Sequence, residues 1–345
     1  MATADSRSSG RPDESFLVIR LSSLGDIIHT LPAFAALRKA FPGARISWLV
    51  EKAGKDILDL VPGIDEIIVA RSKGWLRRLR DRNRTALDFQ GLLKSAAAAR
   101  LSGARRRIGF AKANLREPAA GVFYTERARE ADENRHVIAR NLGLLENLGI
   151  IDGGWNFPIE IPPNLRAGVV GKIQELGFSP PSRIVIINVG AAWETKRWTA
   201  DKWASVLSRL KTPDIFPLIL WGTDIERGIA RDLAAKTGAV PAPFMSIAEV
   251  LALIEQSALL LSGDTFALQA ACALGTPVVG IFGPTNPARN GPFGPLDKTL
   301  HLPIPCHPCY KRECSRLECL SRLDPDRVAE QAENVLKDND GSSNR

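Results

Sequence analysis

No apolar run in the 345 residues approaches the roughly 18–20 residues that a membrane-crossing helix needs. The first 14 residues are polar and carry acids, without the apolar core of a secretory signal. The protein is therefore expected in the cytoplasm, with residues 1–14 as a tail. Two nucleotide-binding signatures are also missing. No G-x-G-x-x-G opens a helix, and Gly91-Leu92-Leu93-Lys94-Ser95 only superficially resembles a P-loop. Nor is the composition that of a disordered or disulfide-stapled chain. Hydrophobic residues make up 45% and charged residues 24%, as in ordinary globular proteins. The length suggests about two domains.

What is present begins with charge. Lys and Arg number 46 against 38 Asp and Glu. From Arg71 to Arg116 there are 14 Lys/Arg and 2 Asp, a local charge of +12 that leaves the rest of the chain at −4. Such density favours an anionic partner, although a solvated helix face has the same composition. A nucleic-acid partner is not expected, because Trp75 is the only aromatic residue between Arg71 and Arg84 and offers little stacking surface.

Short apolar runs alternate with amphipathic stretches. Strands are predicted at Phe16–Arg20, Ile46–Val50, Glu66–Ala70, Ala86–Phe89 and Arg107–Phe110, with helices at Asp26–Phe41 and Ala131–Leu148. Gly, Pro and Asn then break the pattern, and 151–165 reads as a linker. Alternation resumes with strands at Ile184–Val189, Phe216–Trp221, Ala258–Leu261 and Pro277–Phe282. Helices fall at Asp201–Leu210, Ile225–Lys236, Ser246–Gln256, Ala267–Leu274 and Asp324–Lys337. This predicts two α/β domains with mostly parallel sheets, at 15–150 and 166–322, then a C-terminal helix at 323–338 and a tail at 339–345. Open α/β sheets bind ligands beyond the carboxyl ends of their strands, which places a cleft between two such edges.

Three strand-to-helix loops carry candidate chemistry. Ser22, Ser23, Gly25 and Asp26 follow the first strand. They cap the next helix on one reading, and on the other Asp26 faces the cleft as a general base. Gly190, Ala191 and Ala192 leave room for a ligand, and Lys196 supplies a point charge suited to phosphate; a plain polar loop is the alternative. Asp264 and Thr265 open a helix whose first N–H groups can hold an anion, or they merely cap it.

VIRLSSLGDIIHTLPAFAALRKAFP, DFQGLLKSA, NVGAAWETKRW, SGDTFALQAACALGTPVVGIFGPTNP and the CHPC segment occur in that order. Together they resemble the bacterial heptosyltransferases of glycosyltransferase family 9, from about Phe16 to Pro292. DFQGLLKSA and Arg116-Glu117-Pro118 look most like the first heptosyltransferase of lipopolysaccharide assembly. The resemblance implies a GT-B fold, two Rossmann-like domains facing across a cleft. It implies inverting, metal-independent transfer of heptose from ADP-L-glycero-D-manno-heptose to a Kdo residue on lipid A. The enzyme would act as a monomer at the anionic inner face of the inner membrane. It assigns Asp26 as base and Lys196 to the donor phosphates. Gly190, Ala191, Ala192, Glu226, Met245, Asp264, Thr265 and Gln269 would line the donor site. Ser22, Ser23, Gly25, Arg71, Lys73, Arg77, Arg78, Gln90, Lys94 and Arg116 would line the acceptor site. Phe266 and Gln269 stand where the family usually has Gly and His, so another nucleotide sugar or acceptor is the alternative, as is a binding protein without turnover.

Four of the five cysteines cluster as Cys306-x2-Cys309-x4-Cys314-x4-Cys319. Four thiolates at such spacing can hold a structural metal, and reduced thiols in a loop are the other reading. No cofactor is expected for catalysis.

Overall fold

The computed structural model describes residues 14–80 and 85–343. The predicted tail before Glu14, residues 81–84 of the basic stretch and residues 344–345 lie outside that description. The chain divides into two compact units, Met1–Glu160 and Ile161–Arg345.

In the first unit, β1 (Ser15–Ile19), β2 (Arg45–Val50), β3 (Glu66–Val69), β4 (Thr85–Asp88), β5 (Arg106–Gly109) and β6 (Glu126–Arg127) alternate with α1 (Leu24–Ala40), α2 (Lys55–Leu58), α3 (Trp75–Arg80), α4 (Leu93–Leu101) and α5 (Val137–Leu144). The strands are parallel, in the order β3-β2-β1-β4-β5-β6. Every residue of β1 is buried, as a central strand covered on both faces must be.

The second unit opens with α6 (Pro163–Gln174). It continues through β7 (Arg183–Asn188), α7 (Ala200–Arg209), β8 (Ile215–Leu220), α8 (Asp224–Thr237), β9 (Val240–Pro241) and α9 (Ile247–Glu255). β10 (Leu259–Gly263), α10 (Phe266–Leu274), β11 (Val278–Phe282), α11 (Pro287–Asn290), β12 (Lys298–His301), α12 (Glu318–Ser321) and α13 (Pro325–Ser343) complete it. Its parallel order is β12-β11-β10-β7-β8-β9. Numbered from each unit's own first strand, both sheets read 3-2-1-4-5-6, the doubly wound order. Strand order reverses between β1 and β4 and again between β7 and β10, and ligand crevices form at such points.

Three differences from the pattern have local causes. The linker prediction 151–165 overlaps α6, because Pro163 occupies a first helical turn, where a missing N–H costs nothing. The helix predicted from Ala131 starts only at Val137. Asp132 turns the chain by accepting from Asn134 N at its side chain (2.6 Å) and from Arg135 N at its carbonyl (3.1 Å), and His136 Nδ1 then caps α5 by accepting from Ile138 N. At the other end α13 runs on to Ser343, past the predicted stop. Val328, Ala329, Ala332, Val335 and Leu336 pack into the core of the second unit, so this helix belongs to that domain.

Candidate active site

In the first unit the strand run FLVIR ends in Arg20, a buried arginine just before the polar loop. Its Nη2 meets Asp26 Oδ1 at 2.7 Å, and its Nη1 donates to the Phe89 carbonyl. Ser23 donates to the other carboxylate oxygen, from its N–H at 3.2 Å and its hydroxyl at 3.1 Å. Asp26 therefore closes the first turn of α1 and forms an ion pair as well, while its side chain stays 37% exposed. Burial works against its charge. The Arg20 guanidinium, with His29 and the Ser23 N–H behind it, outweighs burial and holds the carboxyl below its ordinary value. Arg20 was not among the sequence candidates; the signal was a charged residue closing an otherwise apolar strand.

Gln90 holds the same loop from across the strand-order reversal. Its side-chain oxygen accepts from Leu21 N at 3.0 Å and Ser22 N at 3.2 Å. Beneath it, buried Asp88 accepts from Gln90 N (2.9 Å), Gly91 N (3.2 Å), the Ser95 hydroxyl (2.8 Å) and the Tyr124 hydroxyl (2.7 Å). Burial pushes the Asp88 carboxyl up in spite of these bonds.

The predicted acceptor cations all follow carboxyl ends of strands: Arg71, Lys73, Arg77 and Arg78 after β3, Lys94 after β4, Arg116 after β5. Two of them are committed internally. Arg78 pairs with Glu66 at 2.7 Å and donates to the Ile67 carbonyl, and Lys94 pairs with Glu51 at 2.8 Å. Arg71, Lys73, Arg77 and Arg116 are exposed and have no ion-pair partner among the described residues.

In the second unit the loops after β7, β8, β9 and β10 supply the candidate donor residues. Lys196 Nζ meets Asp264 Oδ2 at 2.7 Å and stands 4.5 Å from the Trp193 ring centroid. Gly263 is required here, because a Cβ would lie 2.8 Å from the Lys196 carbonyl. Asn188 Nδ2 donates to the Ser262 and Thr265 hydroxyls at 2.9 and 3.1 Å, which orders the start of α10. Thr265 forms no side-chain cap, so the first N–H groups of this nine-residue helix stay available to an anion.

The other donor candidates have neighbours that their spacing did not show. The space at Gly190 is filled from within the protein: a Cβ there would come 2.4 Å from Glu226 Oε1. Glu226 completes the capping box of α8 with Thr223, accepting from Gly222 N at 2.8 Å and Thr223 N at 3.1 Å. Ala191 is buried and Ala192 exposed. Gln269 is buried and gives its side-chain N–H to the Asn290 carbonyl at 2.8 Å. Met245 is buried just past β9. Beside it, Trp221, Arg227, Arg231, Pro241, Ala242, Pro243 and Phe244 line a cavity of about 300 Å³.

Cys306 and Cys314 are exposed, Cys309 is half-buried and Cys319 is buried in α12; all four are free thiols. Among the described residues, no three His, Cys, Asp or Glu side chains are placed to hold a metal ion. Burial, and after it the charges of Cys309, Cys306 and Cys314, push the Cys319 thiol up, so all three lie near Cys319 at the edge of the second unit's core.

Two doubly wound units, one with a guarded carboxylate and the other with a lysine beside an open helix start, define an α/β protein. Residues 75–320 match the model for glycosyltransferase family 9 (heptosyltransferase), and the chain belongs to that family. It is 28% identical to lipopolysaccharide heptosyltransferase 1 of Pseudomonas aeruginosa, over 93% of this chain and 97% of the relative. Among solved structures it resembles a family 9 glycosyl transferase from Veillonella parvula (TM-score 0.80, 22% identity, 94% and 97% of the two chains). It also resembles the E. coli heptosyltransferase WaaC with ADP (TM-score 0.72, 22% identity, 93% and 97%). The fold is GT-B and the protein is a glycosyltransferase.

Proposed function

We propose that this glycosyltransferase moves heptose from ADP-L-glycero-D-manno-heptose to a Kdo residue of the lipopolysaccharide inner core, with inversion and without a metal. The observation that carries this reading is one chemically equipped edge on each like-wound sheet: Asp26 held below its ordinary carboxyl range in the first unit, Lys196 beside the open start of α10 in the second. The similarity to lipopolysaccharide heptosyltransferase 1 supports the sugar and the acceptor.

Asp26 accepts the proton of the acceptor hydroxyl as that oxygen bonds to the anomeric carbon. The bond from that carbon to the donor's terminal phosphate oxygen breaks on the opposite face, which inverts the centre. Negative charge collects on the departing ADP. Lys196 and the N–H groups of α10 stabilise it in place of a metal. The cavity lined by Trp221 and Phe244, whose ring centroids are 5.8 Å apart, offers the adenine an aromatic wall. Work at the membrane's inner face follows from an acceptor that is a lipid. A different nucleotide sugar is the second reading, favoured by Phe266, a bulky side chain at the first position of α10 where the family usually has Gly.

The test is turnover of ADP-heptose with a Kdo-bearing lipid A acceptor, alongside other nucleotide sugars, with and without EDTA. Asp26→Asn should lower transfer by about 10²–10⁴-fold while ADP affinity stays within a few-fold. Normal turnover in the folded variant would reduce Asp26 to a helix cap. Loss of activity in EDTA, restored by magnesium, would overturn the metal-free mechanism.

A further inference from the structure

The cysteine-bearing loop between β12 and α12 has no part in the reading above, yet it is fastened to the donor edge at several points. The Thr195 hydroxyl donates to the Lys311 carbonyl at 2.8 Å. Cys309 N and Tyr310 N both donate to the Pro284 carbonyl, at 3.0 and 2.9 Å. The His307 ring nitrogen Nε2 lies 3.1 Å from the Thr285 carbonyl.

These contacts deliver Arg312 to Trp193. Its guanidinium carbon stands 5.0 Å from the indole centroid, and Lys196 Nζ stands 4.5 Å from the same ring. The two cations differ in what they have left to give. Lys196 is paired with Asp264, so together they bring no net charge to the edge. Arg312 is exposed and has no ion-pair partner among the described residues. An indole face attracts a guanidinium without neutralising it or consuming its N–H donors. A nucleoside diphosphate carries at least two negative charges, more than a neutral ion pair and a helix start match. The planar fork of an arginine suits a second phosphate.

We propose that Arg312 is a second phosphate-binding cation of the donor site, presented by Trp193 and the cysteine-bearing loop, and that it reads the terminal phosphate of the nucleoside diphosphate. This rests on the reading of the second unit's edge as the donor site. It gives the loop a role in positioning Arg312.

Isothermal titration of ADP and AMP tests it on the full chain, using the wild type, Arg312→Gln, Arg312→Lys and Lys196→Gln, with melting curves to confirm folding. Arg312 lies exposed on a loop, so its replacement should leave the fold intact. Arg312→Gln should weaken ADP by about 10–100-fold, the range for losing a charge-assisted bond. AMP should change by less than about threefold, since it lacks the phosphate being read. Arg312→Lys should recover part of the ADP loss. Wild-type ADP binding in Arg312→Gln, while Lys196→Gln binds weakly, would overturn the proposal and leave the donor reading standing. Equal losses for ADP and AMP would also overturn it. Failure of the wild-type protein to bind ADP would remove the donor reading and this proposal together.

Discussion

Asp26 uses three of its roughly four lone-pair positions inside the protein, on Ser23 N, Ser23 Oγ and Arg20 Nη2, so about one remains for a substrate proton. Its readiness to act as a base at neutral pH depends most on Arg20. A carboxyl held below its unfolded value adds stability above that value and loses it as pH falls through the folded one. The wild type should therefore keep both activity and this share of stability until pH drops below the usual Asp range. Arg20→Gln removes the opposing charge and lets burial dominate. The acid limb of kcat/KM should then move up by about one pH unit or more, and Arg20→Lys should restore most of it. A carboxyl-carbon NMR titration of Asp26 in both variants reads the same shift without turnover. An unmoved limb in Arg20→Gln would mean that something else keeps Asp26 ionised.

At the level of elements, β1 and β4 act through their loops. Tyr124 and Ser95 fix Asp88, Asp88 fixes the Gln90 turn, and Gln90 fixes the backbone leading to Asp26. Gln90 was expected to touch the acceptor; its side-chain oxygen serves the β1 loop. Gln90→Met keeps the bulk and leaves two N–H groups without their acceptor, a loss of about 1–3 kcal/mol for each if it stays buried. Loosening the loop should lower kcat by about tenfold or more, while an acceptor contact should raise the acceptor KM instead. Measuring both constants separates the roles. Most strands were legible because each is a compact apolar run flanked by turn residues, and the loops between them carried the candidate chemistry. What the pattern did not show were partners far along the chain. Gln90 meets Leu21 across 69 positions, and Glu226 fills the space at Gly190 across 36. Periodicity reports which face is buried and is silent on which residue lies against it. Very short strands such as β6 and β9, two residues each, leave no periodicity to read.

For the whole molecule, the repeated winding was legible as two rounds of alternation, and the charge asymmetry as a count. Which charges are free was not, because Arg78 and Lys94 find Glu66 and Glu51 only in the folded chain. Arg71, Lys73, Arg77 and Arg116, without an ion-pair partner among the described residues, share one edge of the first unit, and Leu76 of α3 is 41% exposed among them. An anionic lipid surface matches such an edge, at about 1 kcal/mol per cation close to the membrane. Arg71→Gln with Arg77→Gln should then weaken binding to vesicles containing anionic phospholipid by roughly 30-fold, or about 2 kcal/mol. Arg78→Gln should matter less, because that charge already faces Glu66. Wild-type binding should fall as salt rises, since exposed charges are screened over roughly 8–10 Å at physiological ionic strength. ADP affinity should hold throughout, because the proposed donor residues belong to the second unit. Vesicle binding that is unchanged in the folded double variant and insensitive to salt would return this edge to an ordinary solvated surface.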